Sequence, residues 1–391
     1  MNKRVVVGLS GGVDSSVAAH LLIEQGYEVI GIFMRNWHDE SVTINNECPW
    51  IDDSNDAMLV AEHLGIPFHV LDLSGEYKKR IVDYMFREYQ SGRTPNPDVL
   101  CNREIKFDVF LKAAMNLGAQ YVATGHYCRR EESFDGTFKL LAGLDSNKDQ
   151  SYFLCQLDQN QLSKVLFPIG NLQKSEVRKM AESISLPNAA KKDSQGLCFI
   201  GKVKLPVFLQ QQLELKKGKI IEILLWAPEC ASRNGDAHQP SLEEITAKYQ
   251  FVPEMGSEIG EHEGAHFFTV GQRKGLGVGG REIPLFIVET DTTSNIIYVA
   301  AGEDHPALNR SGLFVPAADV HWINPSESMK VGEERRYQCR IRYRQVLTEC
   351  MLYMKSDGLH IVFDQPQKGI ASGQFAVWYA GEELVGSGVI F

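Results

Sequence analysis

The sequence predicts an α/β protein: an N-terminal Rossmann-like parallel sheet with a phosphate-binding loop, a small β-rich central domain and a C-terminal β-barrel. Strand-like and helix-like segments alternate through the first 125 residues, a pattern typical of right-handed βαβ units. After about residue 202, helical periodicity mostly disappears and short alternating runs bounded by glycine and proline take over. Such runs indicate antiparallel sheets or small barrels.

The first part of the chain is predicted to form strands separated by helices. The first strand spans residues 4–8, and the first helix spans residues 15–25 and stops at Gly26. Further strands are predicted at residues 29–34, 68–73 and 121–124, and further helices at 56–64, 77–90, 104–117, near 158–166 and near 174–185. Helices of this length between strands indicate a parallel sheet that is covered on both faces.

The rest of the chain is predicted to be mostly β-structure in two parts. Strands are expected at residues 266–270, 285–289, 296–300, 337–343, 349–354, 360–363 and 375–380. A break near 302–306 divides them, so the predicted domains are 1–201, 202–302 and 303–391. An acidic insert at about 224–258 contains Ser241 and Glu244 at the spacing of a helix capping box.

Composition is that of a globular protein, with 391 residues of which 43% are apolar and 23% are charged. No apolar run approaches the ~20 residues of a membrane span, and the first residues lack a signal-peptide core. A cytoplasmic protein without membrane contact is therefore expected. The eight cysteines include no C-x-x-C pair, which argues against a zinc ribbon and against a disulfide scaffold.

Charge is distributed unevenly along the chain. The net charge of −10 argues weakly against nucleic acid as a partner. However, residues 38–56 contain six acidic residues and no Lys or Arg, and residues 229–263 contain eight acidic and two basic residues. Residues 330–346 contain six basic and two acidic residues, a strip that fits either an RNA contact or a solvated strand face.

The strongest motif is GLSGGVDSS at residues 8–16, between the first strand and the first helix. Its glycines allow a tight turn with inward N–H groups, and its serines add hydroxyl donors at a helix N-terminus, where the partial charge is positive. These features predict a phosphate cradle. It is not a Walker A loop, because G-x-x-x-x-G-K-[ST] is absent. Asp14 fits either a Mg²⁺ ligand or a carboxylate stabilised by the helix dipole.

Two other motif matches have the wrong surroundings. HEGAH at residues 262–266 fits H-E-x-x-H, but Gly260 and Gly264 make the required helix implausible, so no zinc site is predicted. GLGVGG at residues 275–280 fits a dinucleotide fingerprint but precedes a strand-like segment. A glycine-rich turn is the better interpretation.

Two cysteines lie in informative segments. Cys101 and Asp98 are predicted to lie just before a helix, where a thiolate is stabilised and Asp98 could accept a proton. Cys101 therefore fits either a catalytic or a structural role. Cys198 has apolar neighbours that favour a buried structural thiol, whereas Lys191 and Lys192 argue for an exposed site. Nothing in the sequence spacing shows that the two cysteines meet.

SGGVDSS resembles the pyrophosphate loop of the N-type ATP pyrophosphatase superfamily. Further segments are TPNPDVLCNREIKF, ATGHY, NKDQSYFL, KKDSQGLCFIG, GQRKGLGVGG and IRYRQ. Together, and in this order, they make nearly the whole chain resemble the bacterial tRNA-specific 2-thiouridylase family. The resemblance implies a tRNA-uridine 2-sulfurtransferase in which ATP adenylates O2 of the wobble uridine and a cysteine persulfide supplies sulfur, with release of AMP and pyrophosphate.

The resemblance also implies roles for individual residues. Cys198 would carry the persulfide, Cys101 would act as the nucleophile, and Asp98 would accept a proton or position the base. A transient disulfide between Cys101 and Cys198, or release of sulfide, would follow. The implied ATP contacts are Gly8, Leu9, Ser10, Gly11, Gly12, Val13, Asp14, Ser15, Met34 and Gly125. The implied tRNA contacts are Asn96, Pro97, Asp98, His126, Lys148, Asp149, Gln150, Arg342, Tyr343 and Gln374.

The implied cofactors and partners are ATP, Mg²⁺, tRNAs of the Lys, Glu and Gln type, and a persulfide relay protein, with the enzyme as a monomer. In one variant, Asp98, Cys101 and Cys198 would instead hold an iron–sulfur cluster. Two alternatives remain: a ligase that adenylates a small metabolite and adds nitrogen, and an RNA-binding protein whose loop senses nucleotide. The acidic insert is longer than the usual link in the family and is expected to be peripheral.

Overall fold

The computed structural model describes residues 3–36, 49–193, 205–224 and 240–391. The strands among them are β1 (Arg4–Gly8), β2 (Glu28–Arg35), β3 (Phe68–Asp72), β4 (Tyr121–Ala123), β5 (Cys128–Glu132), β6 (Phe138–Ala142), β7 (Val165–Leu166), β8 (Gly218–Ile223), β9 (Gly256–His262), β10 (Leu285–Asp291), β11 (Ile296–Ala301), β12 (Asn309–Pro316), β13 (Val320–Trp322), β14 (Glu334–Arg340), β15 (Thr348–Met354), β16 (Gly358–Lys368), β17 (Phe375–Ala380) and β18 (Glu383–Val389).

Most helices lie in the first half of the chain. The α-helical segments are Val13–Glu24, Pro49–Leu64, Ser74–Tyr77, Asp83–Gln90, Pro97–Leu100, Phe110–Asn116, Gln159–Ser163, Lys174–Ser183, Leu205–Leu209 and Leu242–Thr246. Two π-helical segments, Lys78–Val82 and Cys101–Val109, join their neighbours into continuous helices over residues 74–90 and 97–116. Short 3₁₀ turns are Ser151–Leu154, Pro253–Met255, Ala265–Phe267, Ala317–Asp319 and Pro325–Glu327. None of the helices in the described ranges is long and apolar enough to cross a bilayer.

Three sheets confirm the predicted fold class. The first is parallel, with strand order β3-β2-β1-β4-β7. Apolar cores cover both of its faces, which is the Rossmann-like arrangement expected from continuous apolar strands. The second sheet has the order β10-β11-β8-β9, and the third is a large sheet that runs β12-β16-β15-β14-β17-β18-β6-β5, with β13 against β18.

The β5–β6 hairpin was not predicted. It follows the parallel sheet in sequence, yet it pairs with β18, where Glu383 is opposite Leu141 and Leu384 is opposite Leu140. Pairing over more than 240 residues leaves no local signal apart from two short alternating runs. The hairpin therefore joins the first part of the chain to the C-terminal barrel sheet.

Two boundaries near the predicted site differ from the sequence predictions. The helix expected at 104–117 begins at Pro97, because the Asn96 side chain caps it by accepting a hydrogen bond from the Val99 N–H at 3.2 Å. Asp98 and Cys101 therefore lie inside the helix, and the prediction that they precede it was wrong. The helix expected at 56–64 similarly begins earlier, at Pro49.

The prediction of a strand at 266–270 is also wrong. Ala265–Phe267 forms a 3₁₀ turn, and the strand in this region is β9, which ends before that turn. Gly264 has a φ of +143°, and its N–H donates to His262 Nδ1 at 2.9 Å, which turns the chain before the apolar run. His262 and His266 therefore lie on a strand and a 3₁₀ turn, in agreement with the argument that HEGAH does not form a helix.

The described part of the acidic insert is packed rather than peripheral. Ser241 and Glu244 form the predicted capping box. Thr246 Oγ1 lies 2.7 Å from His360 Nδ1, and the Arg310 guanidinium donates to the carbonyl of Thr246 at 3.1 Å. Residues 249 and 251, a tyrosine and a phenylalanine, complete a core beneath β10 and β11. Residues 240–258 therefore join the central sheet to the barrel sheet, and residues 225–239 lie outside the described ranges.

Candidate active site

The glycine-rich loop lies at the point where the parallel sheet reverses its strand order. From β1 the chain proceeds outward to β2 and β3, then returns to β4 on the other side of β1. Open α/β sheets bind ligands in the crevice beyond the carboxyl ends of the strands at such a switch point. The loop leaves the carboxyl end of β1 at Gly8 and enters the helix Val13–Glu24, so the predicted phosphate cradle lies in that crevice.

Internal hydrogen bonds give the loop its shape. The Ser10 N–H donates to Ser15 Oγ at 3.1 Å, and Ser15 Oγ–H donates to the Gly12 carbonyl at 3.1 Å. The Asn188 amide donates to the Gly11 carbonyl at 2.9 Å from outside the loop. Among the described residues no side chain caps the helix at Gly12, so the first-turn N–H groups are directed at the crevice, where they can bind an anion.

Gly11→Ala should weaken ATP binding by at least about ten-fold. Gly11 has a φ of +74°, and an added Cβ would lie 2.2 Å from the Asp53 carbonyl oxygen. The left-handed backbone alone costs about 1–2 kcal/mol for a non-glycine residue, and relief of the clash must move the loop or the helix Pro49–Leu64.

Isothermal titration calorimetry with ATP measures this effect. Gly65→Ala is the matched control, because Gly65 has a φ of +65° but no atom of the described residues lies within 4 Å of its added Cβ. The control should lose stability through the same backbone strain and keep its ATP affinity. Equal affinities in both variants would contradict the role given to the loop.

The other two positions implied for ATP lie beside the loop. An added Cβ on Gly125, which follows β4, would lie 2.6 Å from the Ser15 backbone nitrogen, so only glycine permits this approach. Met34, near the end of β2, places its Cε 3.1 Å from the position of a Cβ on Gly8. The structure therefore brings both positions to the same crevice as the loop.

A lysine that sequence analysis missed pairs with Asp14. Lys174 Nζ lies 2.7 Å and 2.8 Å from the two Asp14 carboxylate oxygens, and the Tyr127 hydroxyl donates to Asp14 at 2.9 Å. Lys174 and Lys148 both pair with Asp193. Burial alone would raise the pKa of Asp193, but hydrogen bonds from these two lysines lower it to about 2. In the sequence, Lys174 could be recognised only as a lysine at the start of a predicted helix, which does not indicate a partner.

The described residues fit a magnesium ion that is bound mainly by the phosphates of a nucleotide better than a metal site built from protein side chains alone. Asp14 already contacts an ammonium group and a hydroxyl, and the described ranges contain no cluster of three His, Cys, Asp or Glu side chains suited to a metal. Mg²⁺ in nucleotide sites keeps most of its waters and is held largely by substrate phosphates. The iron–sulfur variant depends on Cys198, which lies outside the described residues.

The helix that carries Cys101 starts at the same edge of the sheet. It precedes β4 and runs antiparallel to the strands, so its N-terminus lies beyond the carboxyl ends of the strands. Phe110 on this helix lies 3.6 Å from the position of a Cβ on Gly8. Cys101 precedes Phe110 in the same continuous helix, so it lies further along the helix axis, beyond the phosphate loop.

Cys101 itself is fully buried, and Asp98 is half-buried. Cys101 follows the Asn96 cap by five residues and lies in the second helical turn, where the dipole effect has largely decayed. Burial disfavours a thiolate, so the helix N-terminus is a weaker activator than the sequence suggested. Cys198, its implied partner, lies in residues 194–204, outside the described ranges.

Three of the residues implied for tRNA meet in front of this helix. Asn96 Nδ2 donates to Gln374 Oε1 at 3.4 Å, and Gln374 Nε2 donates to the Thr94 carbonyl at 3.0 Å. Pro97 occupies the first helical position. Gly373 has a φ of +90° and lies against Thr94, whose N–H donates to the Ser372 carbonyl at 2.8 Å. The C-terminal barrel therefore holds the loop that leads into the Cys101 helix.

A second group lies around residues 126–150. His126 is buried, and both burial and the nearby Lys106 lower its pKa well below the usual value, so the ring is neutral. Gln150 accepts a hydrogen bond from the Tyr127 N–H at 3.0 Å. Asp149 is buried and pairs with Arg340 at 2.5 Å, whereas Lys148 is 30% exposed. Of this group, Lys148 presents its charge nearest to solvent.

Arg342 and Tyr343 lie in the turn after β14. The exposed Arg342 donates a hydrogen bond to the Gly369 carbonyl. The Tyr343 ring packs on Phe153 with centroids 4.4 Å apart, and the Arg344 guanidinium lies 5.2 Å from the Tyr343 ring centroid. Phe153 also contacts the Cys101 helix, because its carbonyl accepts a hydrogen bond from the Asn102 side chain at 3.0 Å. Phe153 therefore links this turn to the helix.

The remaining described cysteines occupy cores, as the sequence suggested for Cys155. Cys128, Cys155, Cys339 and Cys350 are fully buried. Burial raises the pKa of Cys155 to about 12 and raises those of Cys128 and Cys339 as well. These thiols are therefore poor nucleophiles at neutral pH.

Comparison with known proteins identifies relatives along the whole chain. Family models match the tRNA methyl transferase HUP domain over residues 3–202, the tRNA methyl transferase PRC-barrel domain over 247–301 and the aminomethyltransferase β-barrel domain over 315–390. Three proteins named tRNA-specific 2-thiouridylase MnmA align with 99% of this chain. They come from Christiangramia forsetii (58% identical, 100% of its length), Flavobacterium johnsoniae (59%, 100%) and Karelsulcia muelleri (47%, 98%).

Proposed function

The chain belongs to the tRNA-specific 2-thiouridylase family, and we propose that it uses ATP to replace O2 of the wobble uridine of tRNA with sulfur. The observation that carries this proposal is that a phosphate-type loop and the start of the Cys101 helix share one edge of the parallel sheet. That edge provides one crevice for both a nucleotide and a reacting base.

The first step is adenylation. Uridine O2 attacks the α-phosphorus of ATP, the bond to pyrophosphate breaks, and the oxygen becomes part of a good leaving group. The first-turn N–H groups after Gly12 and the Lys174 ammonium, 11% exposed, are suited to hold the departing pyrophosphate. A Mg²⁺ ion bound to the phosphates would supply further charge neutralisation.

The second step transfers sulfur. The terminal sulfur of a Cys198 persulfide attacks C2 of the uridine, and AMP leaves with the former O2. A Cys101 thiolate then attacks Cys198 Sγ, which forms a disulfide between the two cysteines and releases the thiolated base. Alternatively, Cys101 attacks the persulfide first and releases sulfide, which attacks C2. A thiol reductant then reopens the disulfide, and a relay protein reloads the persulfide on Cys198. Asp98 accepts a proton or positions the base.

Residues from all parts of the chain would contact the tRNA. Asn96 and Gln374 lie together in front of the Cys101 helix, and the turn with Arg342 and Tyr343 adds a charge and an aromatic ring. The target base must leave its stack, at a cost of a few kcal/mol. tRNAs of the Lys, Glu and Gln type, a monomeric enzyme and a cytoplasmic location complete the proposal.

The test is reconstitution with unmodified tRNA, ATP, Mg²⁺ and a persulfide-generating donor, followed by digestion and mass spectrometry of the nucleosides. We expect 2-thiouridine and one AMP per thiolated base. The same tRNA with cytidine at the wobble position is the control and should yield neither product. AMP release without thiouridine would retain adenylation and contradict the sulfur route.

The two alternatives give different outcomes in the same assay. A ligase that adds nitrogen to a small metabolite would turn over without tRNA and without either cysteine. An RNA-binding protein with a nucleotide sensor would bind tRNA and release no AMP. Either result would contradict the proposed thiolation.

A further inference from the structure

Asn36 is a buried amide for which the structure gives no local explanation. It follows the last residue of β2, and its side chain is 2% exposed. Within the described part of the chain, neither its amide oxygen nor its amide nitrogen has a hydrogen-bond partner. A buried polar group without partners lowers stability, and native proteins keep few of them. Two such atoms on one side chain point to a ligand.

Its position in β2 shows where the amide is directed. Ile32 and Met34 belong to the core between the sheet and the Cys101 helix, whereas Phe33 belongs to the core on the opposite face. Arg35 lies over the Trp50 ring, on the face of Phe33. Since side chains alternate along a strand, Asn36 shares the face of Met34 and lies one step beyond the strand end.

That position adjoins the phosphate loop. β2 pairs directly with β1, and Met34 Cε approaches Gly8 where the loop begins. A nucleotide with its phosphates on the loop has its base within reach of the neighbouring strand ends, as in other open α/β sheets. The amide of Asn36 is therefore directed at the crevice on the β2 side of the phosphates.

The chemistry of the amide selects among ligands. A primary amide offers one acceptor and one donor side by side, which matches the exocyclic amine and an adjacent ring nitrogen of adenine. A phosphate group would satisfy only the donor. Adenine satisfies both orphan atoms at once through its N6 amine and N7, whereas hypoxanthine presents two acceptors, O6 and N7, along that edge and leaves one amide atom unpaired in either orientation of the amide.

We propose that Asn36 reads the adenine base of ATP, with Oδ1 accepting from the N6 amine and Nδ2 donating to N7. The inference rests on the ATP-dependent function proposed above and adds a determinant of base specificity to it. It predicts that this side chain discriminates adenine from hypoxanthine.

Calorimetric titration of the full-length protein with ATP and with inosine triphosphate, in the absence of tRNA, tests this. Asn36→Leu keeps the volume and removes both polar atoms. It should weaken ATP binding roughly ten- to hundred-fold and change the affinity for inosine triphosphate less than about two-fold. Because the orphan amide is removed, the melting temperature of the free protein should stay constant or rise. 7-Deaza-ATP, which lacks N7, should bind the wild-type protein more weakly than ATP does.

Controls separate the possible outcomes. Asn160→Leu changes an exposed asparagine and should leave both affinities unaltered. An equal loss for both nucleotides, with a lower melting temperature, would assign Asn36 a structural role and overturn the proposal. Unchanged ATP binding in Asn36→Leu, and in Asn36→Ala as the second variant, would also overturn it. A wild-type protein that binds neither nucleotide would overturn the proposed ATP-dependent function, and this inference with it.

Discussion

Replacing Cys101 with serine should reduce formation of 2-thiouridine at least about a thousand-fold, while pyrophosphate is still released in the presence of tRNA. Adenylation needs no thiol, so the first step survives, whereas the sulfur step loses its nucleophile. Serine is nearly isosteric with cysteine, so the fully buried site should keep its packing. Mass spectrometry of digested tRNA measures thiouridine, and a pyrophosphate-release assay measures adenylation.

The matched control is Cys155→Ser. Cys155 is equally buried, its thiol has a pKa raised to about 12 by burial, and the proposed mechanism gives it no role. This variant should form thiouridine at the wild-type rate and should have a similar melting temperature. Full activity in Cys101→Ser would remove the cysteine from the mechanism and favour the nitrogen-adding ligase.

Comparison with Cys198→Ser distinguishes the two sulfur routes. If the persulfide attacks the base first, Cys101→Ser should accumulate a tRNA joined to Cys198 through a disulfide, and dithiothreitol should release thiouridine from it. Cys198→Ser cannot form this adduct. If sulfide is released first, neither variant should trap tRNA.

The sequence predicted those parts of the fold whose signals are local. β1 lies where the valine run before the glycine loop predicted it, and the capping box at Ser241 and Glu244 forms as expected. The Pro97 boundary was misjudged, because a segment with two prolines is typical of a loop. The Asn96 side chain reverses that expectation by capping the helix. A cap of this kind could have been recognised from Asn followed by Pro.

Long-range partners could not be predicted. The β5–β6 hairpin pairs with β18, which is remote in sequence. Lys174 is recognised as a site residue only through its ion pair with Asp14, which lies 160 residues away in sequence. The orphan amide of Asn36 becomes visible only when burial and hydrogen bonding are both known. The phosphate loop, by contrast, was predictable because strand, glycines and helix start are contiguous.

Replacing Arg340 with alanine should lower the free energy of unfolding by roughly 3–5 kcal/mol. The guanidinium is 8% exposed and pairs with Asp149, which is 6% exposed. It also contacts the Tyr379 hydroxyl and Ser151 Oγ. Burial opposes the charge on Arg340, but the Tyr379 hydroxyl and the Asp149 carboxylate hold its pKa above the usual value. Without Arg340, the Asp149 carboxylate is buried without its cation, which chemical denaturation should reveal.

The same ion pair predicts how Asp149 contributes to the salt dependence of tRNA binding. A buried carboxylate paired with a guanidinium contacts no phosphate, so Asp149→Asn should leave the slope of log affinity against log salt unchanged. Lys148→Ala is the comparison, because its ammonium is 30% exposed, and it should reduce that slope by about one. A reduced slope in Asp149→Asn would contradict the structural role. Asp149 belongs to the N-terminal part of the chain and Arg340 to the barrel sheet. Loss of this pair should therefore weaken the packing between these two parts of the chain and leave the phosphate contacts unchanged.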